Sequence, residues 1–399
     1  MKILLLNQVF YPDVVATAQY LTELAAALRA RGHEVTVVSG RRAYEHPETL
    51  FPARERWAGV DIIRVFSTRL GKGAKWRRAV DFASFLAFCC ARLLFLPRHD
   101  VVMALTTPPL ISFIGAWRAK LWRAKFCYWV MDFNPDEAIA AGWLRANSPA
   151  AKVLEKLSRF SLQRAAKIVA LDRFMRDRIT AKGIAAEKVV VIPPWSLDAE
   201  IRFDLPGREE FRSAHGLSNK FVVMYSGNHS PVHPLDTLMQ AADKLRDEKG
   251  IAFVFIGGGS EFSRIKKWAE RNSQVLCLPY QPLNRLSASL SAADAQVVAM
   301  GNAMLGLVHP CKIYNIFAVR APVVYIGPEP SHVTEAVERA GDHSPFISVR
   351  HGEADRLAVE LLRLKQLPAS AIRPIDSGEA FSAKQLVPQL VEVLESCAR

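Results

Sequence analysis

One pattern constrains this chain more than any other, and it runs through the chain twice: short β-branched or wholly apolar runs alternate with stretches of helical period. In the first half, Ile3–Leu6, Glu34–Ser39, Val60–Val65, Val101–Leu105, Phe126–Met131, Lys167–Leu171 and Val189–Ile192 predict strands. Between the first two, Thr17–Arg31 carries Leu21, Leu24, Ala25 and Leu28 on one helical face and stops at Gly32. The second half repeats the design, with strands at Phe221–Tyr225, Phe253–Ile256, Val275–Leu278, Gln296–Ala299 and Pro322–Ile326. Helices are predicted between them over Leu235–Arg246, Ser260–Asn272, Leu283–Ala292, Lys312–Phe317 and Ser331–Arg339. Strands apolar on both faces and separated by helices imply parallel sheets covered on both sides. The fold class is therefore α/β, with two Rossmann-like, doubly wound domains.

Ile192-Pro193-Pro194-Trp195 breaks the alternation and marks the domain junction. The expected organisation is residues 1–195, residues 196–376, and a terminal segment 377–399. In that segment a helix over Ala383–Ser396 follows a loop at Ser377-Gly378. A length of 399 residues suits two cores better than one.

Composition excludes other classes. Half the residues are apolar and 23% are charged, so the chain is globular rather than disordered. Its six cysteines include no C-x-x-C pair, which removes disulfide scaffolds, zinc ribbons and thioredoxin-like chemistry. The opening apolar run is too short for a signal-peptide core, and the protein is expected in the cytoplasm. Net charge is +13, with 30 Lys/Arg against 18 Asp/Glu in residues 1–200 and 22 against 21 in the remainder. A basic first half suits nucleic acid, an anionic membrane or a phosphorylated substrate.

Three segments of the second half carry the chemistry. Tyr225-Ser226-Gly227-Asn228-His229 follows a strand and precedes a helix, where a glycine lets the backbone approach a ligand. Gly257-Gly258-Gly259 follows the next strand, but Phe262 spoils a G-x-G-x-x-G match. Pro310-Cys311-Lys312 opens a helix, with Pro310 suited to its first turn, and offers N–H groups and an ammonium to a diphosphate. In the first half, Asp132 follows a strand.

In this order, YSGNHSPVHPLDTLMQAA, FIGGGSEF, LPYQPLNRLSASLSAADAQVV and HPCKIYNIFAVRAPVVYIG resemble retaining family-4 glycosyltransferases of the GT-B fold. NQVFYPDVVATAQYLTELAAALRARGHEVTVVSG resembles the family's acceptor-domain opening, and YWVMDFNPDEAIAAGWL its bacterial exopolysaccharide and O-antigen branch. The resemblance implies two domains facing across a cleft, an acceptor-binding first domain, a donor-binding second domain, and a final helix returning to the first. It implies transfer of a sugar from a nucleotide-sugar, UDP-sugar favoured, to a lipid-linked or saccharide acceptor. The nucleotide-sugar is a substrate, so no cofactor is implied. No D-x-D triplet is present, and no metal site is expected.

The implied roles fall on named residues. Lys312 and Arg285 would stabilise the leaving diphosphate, with Gly227, Asn228, His233, Pro310 and Cys311 around it. Gly257, Gly259, Tyr280 and Gln281 would meet the base and ribose, and Asn315 is a further donor-binding candidate. Asp132 would face the cleft on the acceptor side. The sequence departs from the family where two glutamates separated by seven residues are usual: Leu307 and Asn315 stand there. Asn228 and His233 replace an Arg/Lys pair, which puts more of the phosphate charge on Lys312 and Arg285.

The basic run Arg69–Arg78 and the apolar stretch Ala79–Pro97 raise a further expectation, peripheral contact with an anionic membrane. The stretch holds Asp81 and Arg92 and is a poor bilayer span, so a buried domain helix is the alternative. A nucleic-acid-binding protein lacks any supporting helix-turn-helix, zinc or RNP signature, and no nucleic-acid partner is expected. A nucleotide-sugar 2-epimerase on the same architecture stays open on sequence alone.

Overall fold

The computed structural model describes residues 1–13, 15–43, 48–71, 75–196, 201–341, 345–368 and 379–398. The loop expected at Ser377-Gly378, and residues 72–74 of the basic run, lie outside the described residues. The chain divides into two units. The first comprises Met1–Pro193, Gly306–His309 and Leu386–Arg399; the second comprises Pro194–Leu305 and Pro310–Gln385.

The first unit is built on one sheet. Its described strands are β1 (Lys2–Leu6), β2 (Glu34–Gly40), β3 (Arg54–Trp57), β4 (Val60–Val65), β5 (Val101–Ala104), β6 (Lys125–Trp129), β7 (Lys167–Ala170) and β8 (Val189–Val191). They lie in the order β3-β4-β2-β1-β5-β6-β7-β8. All pairings are parallel except β3 with β4. β3, with the pattern Arg-Glu-Arg-Trp, has no buried residue, which is why sequence gave no strand signal there. The inner strands are buried on both faces, with Ile3 to Leu6 and Val101 to Ala104 fully covered.

Helix Ala16–Ala30 buries Leu21, Leu24, Ala25 and Leu28 against the sheet. Gly32 follows its end at φ +84°, the left-handed conformation that glycine adopts without strain. The stretch expected as Ala79–Pro97 is a helix over Lys75–Leu94. It is buried only along Phe85, Cys89 and Leu93, while Trp76, Val80, Phe88 and Leu94 are exposed. Neither a fully buried helix nor a polar outer face describes it.

The C-terminal helix, Ala383–Ala398, packs into this unit from Leu386 onward through Leu386, Leu390 and Leu394. Glu395 accepts from Arg31 Nη2 at 2.8 Å and Nε at 3.3 Å, and lies 3.0 Å from His33 Nε2. These hydrogen bonds, that to Arg31 foremost, hold the Glu395 carboxyl below its usual range.

The second unit holds β9 (Phe221–Asn228), β10 (Ile251–Gly258), β11 (Val275–Leu278), β12 (Ala295–Ala299), β13 (Val323–Ile326) and β14 (Phe346–Val349). Their order is β11-β10-β9-β12-β13-β14, and every pairing is parallel. Phe253, Phe255, Val297, Val324, Leu357 and Leu361 anchor the core on one face of this sheet. The strand order reverses between β9 and β12, the place where open α/β sheets bind ligands.

Candidate functional site

The glycine segments differ from their sequence expectation in one respect. The turn expected directly after Tyr225 is still strand, for β9 runs to Asn228 and β10 to Gly258. Gly227 pairs with Gly257 and Asn228 with Gly258. The two strand ends can stay paired because both glycines have positive φ, +142° at Gly227 and +136° at Gly257. A Cβ on Gly257 would collide with the carbonyl oxygen of Gly227, and one on Gly259 with that of His229. Tyr280 lies over this bare edge, its ring 3.3 Å from the Cβ position of Gly257 and 3.2 Å from that of Gly258. Gln281 beside it donates from Nε2 to Pro279 O at 3.0 Å.

Helix Lys312–Ala318 begins at Lys312, so Cys311 is its N-cap and Pro310 precedes the helix rather than opening its first turn. Cys311 and Asn315 are half-buried and Pro310 is buried. The Lys312 stem keeps some surface, but its Nζ is closed off from solvent and has no hydrogen-bond acceptor. It sits 3.4 Å from the centre of the Tyr225 ring. It also lies 2.9 Å from the Cβ position of Gly227, space that only a glycine leaves open. Burial pushes the Lys312 ammonium well below the usual lysine range.

Two histidines border this ammonium. His233 donates from Nδ1 to Ala299 O at 2.9 Å, and His229 Nδ1 lies 3.3 Å from Gly258 O. Burial, and next the Lys312 charge, push His229 down to about 4 and His233 to about 3. Both rings are therefore neutral near pH 7. The second unit thus gathers Gly227, Gly257, Gly259, Tyr280, His233 and Lys312 at the carboxyl ends of β9, β10 and β12. A buried ammonium with no counter-charge is costly, and an anion in hydrogen-bond reach would satisfy it. Lys312 is a donor, and the site's two histidines have their Nδ1 atoms turned to carbonyls. This set suits a diphosphate rather than a divalent cation.

Arg285 is engaged elsewhere. Its guanidinium makes a fork with Glu210, Nη2 to Oε1 at 2.8 Å and Nη1 to Oε2 at 3.1 Å, in the open. The expectation that it shares the diphosphate with Lys312 finds no support in this pairing.

In the first unit, Asp132 follows β6, and Glu137 lies on the short helix Asp136–Ala140. Asp132 keeps some surface, yet burial of its carboxyl pushes it up to about 6. Burial, then the Asp132 charge, push Glu137 to about 8. Asn134 donates to Glu137 Oε2 at 3.4 Å. Two carboxyls raised together can hold a proton at neutral pH. Sequence alone singled out neither Glu137 nor His229, although both stand inside segments that carried the resemblance. Leu307, at a position where the family usually has a glutamate, is buried in the first unit, its carbonyl accepting from Phe133 N at 2.9 Å.

Known proteins agree with this architecture. Residues 16–195 match the family described as glycosyl transferase 4-like domain, and residues 207–337 match glycosyl transferases group 1. The chain is a family-4 glycosyltransferase of the GT-B fold. This glycosyltransferase is 26% identical over 356 residues to WcaI of Escherichia coli K12, covering 80% of the chain and 81% of the relative. WcaI is provisionally named a colanic acid biosynthesis glycosyl transferase. The glycosyltransferase is also 25% identical over 247 residues, 61% of each chain, to WbjE of Pseudomonas aeruginosa, provisionally named a glycosyltransferase. Among solved structures it resembles HepE of Anabaena in complex with UDP and glucose. That match has a TM-score of 0.71 and 17% identity, over 99% of this chain and all of that one.

Proposed function

We propose that this glycosyltransferase transfers a sugar, with retention, from a UDP-sugar to a lipid-linked or saccharide acceptor in surface polysaccharide assembly. One observation carries the reading: Lys312 Nζ, buried and without an acceptor, lies beside Gly227 at the strand-order reversal. A departing nucleoside diphosphate would supply the missing counter-charge as the glycosidic bond breaks. Gly257, Gly259 and Tyr280 would meet the nucleoside, and Asn315 its ribose. Donor binding belongs to the second unit and acceptor binding to the first, where Asp132 and Glu137 would manage a proton. The names of WcaI and the UDP complex of HepE support the choices of polysaccharide pathway and uridine nucleotide.

The test is calorimetric titration of the full chain with UDP, GDP and ADP, followed by transfer from radiolabelled UDP-sugars to lipid and oligosaccharide acceptors. UDP binding tighter than the other two is expected. A chain that binds none of the three would overturn the reading. Anomeric coupling constants of the product report retention directly.

Peripheral attachment to the cytoplasmic face of an anionic membrane belongs to the same reading. Among the described residues no helix is long and apolar enough to cross a membrane. Helix Lys75–Leu94 turns Trp76, 61% exposed, and Phe88 outward, and Phe95, 80% exposed, follows it. Arg77 and Arg78 are exposed beside them. Co-sedimentation with anionic but not neutral liposomes, lost in a Trp76→Ser/Phe88→Ser variant, is the expected result. Equal, negligible sedimentation with both lipids would remove the membrane from the reading.

A further inference from the structure

The first unit has a cavity of about 520 Å³ whose lining includes neither Asp132 nor Glu137. One wall is a sheet face. Thr36 and Arg56 both pair with Asp61, and Arg54 pairs with Ile63 two residues along, so all five share one side of β2, β4 and β3. The other wall is the end of helix Lys75–Leu94, with Arg92 in its last turn, and the segment after it, with Leu96 and His99. Thr36, Ile63 and Arg92 are half-buried, and Arg54 is exposed.

The charges at this cavity do not balance. Glu55 is committed to Arg64, whose Nη1 donates to its Oε2 at 2.6 Å. Asp61 lies 3.7 Å from Arg56 Nε. Among the described residues, Arg54 and Arg92 have no carboxylate within ion-pair reach. Arg92 Nε is closed off from solvent and has no hydrogen-bond acceptor. Burial pushes His99 below its usual range, and its Nδ1 donates to Pro97 O at 2.8 Å, so the ring is neutral and the excess charge belongs to the two arginines. A half-buried guanidinium without a counter-charge is costly, and a phosphate matches its fork of donors. The volume falls within the roughly 300–1,000 Å³ of small-molecule pockets and leaves room for the alcohol that a phosphate esterifies. Thr36 and Asp61 can accept from that alcohol's hydroxyls, and Ile63 and Leu96 can cover its carbon chain. Position favours a lipid source. Arg92 stands one turn beyond the exposed Phe88 on the helix, and the exposed Leu94 and Phe95 follow it.

We propose that Arg54 and Arg92 form a phosphate-ester site on the first unit, filled by the headgroup of an anionic phospholipid. The phosphate chemistry stands on this cavity alone; the lipid source rests on the proposed membrane attachment.

Phosphorus NMR line broadening on the full chain, with UDP present to occupy the Lys312 group, tests both parts. The probes are short-chain phosphatidylglycerol below its micelle concentration, short-chain phosphatidylcholine as the zwitterionic control, and glycerol 3-phosphate. Phosphatidylglycerol should bind best, glycerol 3-phosphate more weakly, and phosphatidylcholine least. Arg54→Glu, at an exposed position, and Arg54→Gln/Arg92→Gln should each weaken phosphatidylglycerol about tenfold or more and leave UDP titration unchanged. Glycerol 3-phosphate binding as tightly as the lipid would keep the phosphate site and overturn its lipid source. Wild-type protein that binds none of the probes, or binding unchanged in both arginine variants, would overturn the site and leave Arg54 as a charge that guards an edge strand. Glycerol 3-phosphate binding by a protein that sediments with neither liposome would sink the membrane reading and leave the phosphate site standing. Failure to bind UDP would not blur the result, because the arginine variants report on the first unit alone.

Discussion

Replacing Lys312 with methionine should stabilise the unliganded protein while weakening its affinity for UDP. An ammonium removed from water costs several kcal/mol even after relaxation. The compensation the structure offers is the Tyr225 face at 3.4 Å, worth on the order of 2 kcal/mol when desolvated. No acceptor reaches Nζ. Methionine keeps an apolar stem against Tyr225 and removes the charge, so a gain of about 1–3 kcal/mol at pH 6 is expected, within the range for replacing buried charges. That corresponds to roughly 2–4 °C per kcal/mol in a unit of this size.

The gain should depend on pH with a definite sign. The folded-state lysine is held below its usual range, while the unfolded lysine titrates near 10.4. The unfolded state therefore binds more protons between those two values, and wild-type stability rises with pH through that window. The variant lacks this slope, so its advantage should shrink from pH 6 to pH 9. UDP supplies the counter-ion that Lys312 lacks. Losing that charge-assisted bond should weaken UDP about 10- to 100-fold. Urea denaturation at both pH values and UDP titration measure the two halves. A variant that is less stable at pH 6 yet binds UDP normally would refute the reasoning and make Lys312 a packing residue.

Gly257→Ala should abolish UDP binding in a protein that still folds, because its methyl would push the β9 and β10 ends apart; calorimetry and circular dichroism together check this. Glu137→Gln should stabilise the protein by about 1–2 kcal/mol at pH 8.5, allowing for partial exposure, and hardly at all at pH 4. The sign follows from a folded carboxyl raised to about 8: the native state binds the extra proton, so wild-type stability falls as pH climbs from about 4.3 through 8. Arg285→Ala should change UDP affinity less than twofold, since Glu210 already takes its charge. A tenfold loss would instead return Arg285 to the diphosphate.

Much of this protein can be read without coordinates. The period of its apolar residues announces two parallel sheets, because strands covered on both faces must be apolar throughout. Pro193-Pro194 marks where the first unit ends, between those two residues. The glycines after two strands and Lys312 at a helix start stand out in the sequence as candidates for a phosphate site. β3 escaped because an exposed edge strand needs no apolar pattern, and Glu137 because nothing local distinguishes one acid from another.

Tertiary structure decided the rest, since burial and pairing join residues distant in sequence. The sequence places Lys312 at a helix start, but only the fold closes Tyr225 and the bare edge of Gly227 around its ammonium. Arg285 reads as its equal until Glu210, 75 residues away, claims it. His229 is kept neutral only because the fold buries its ring and sets it beside Lys312. Sequence determined which groups are available. Which remain charged, which are neutralised and which lack a partner was set by the neighbours the fold brings within a few ångströms.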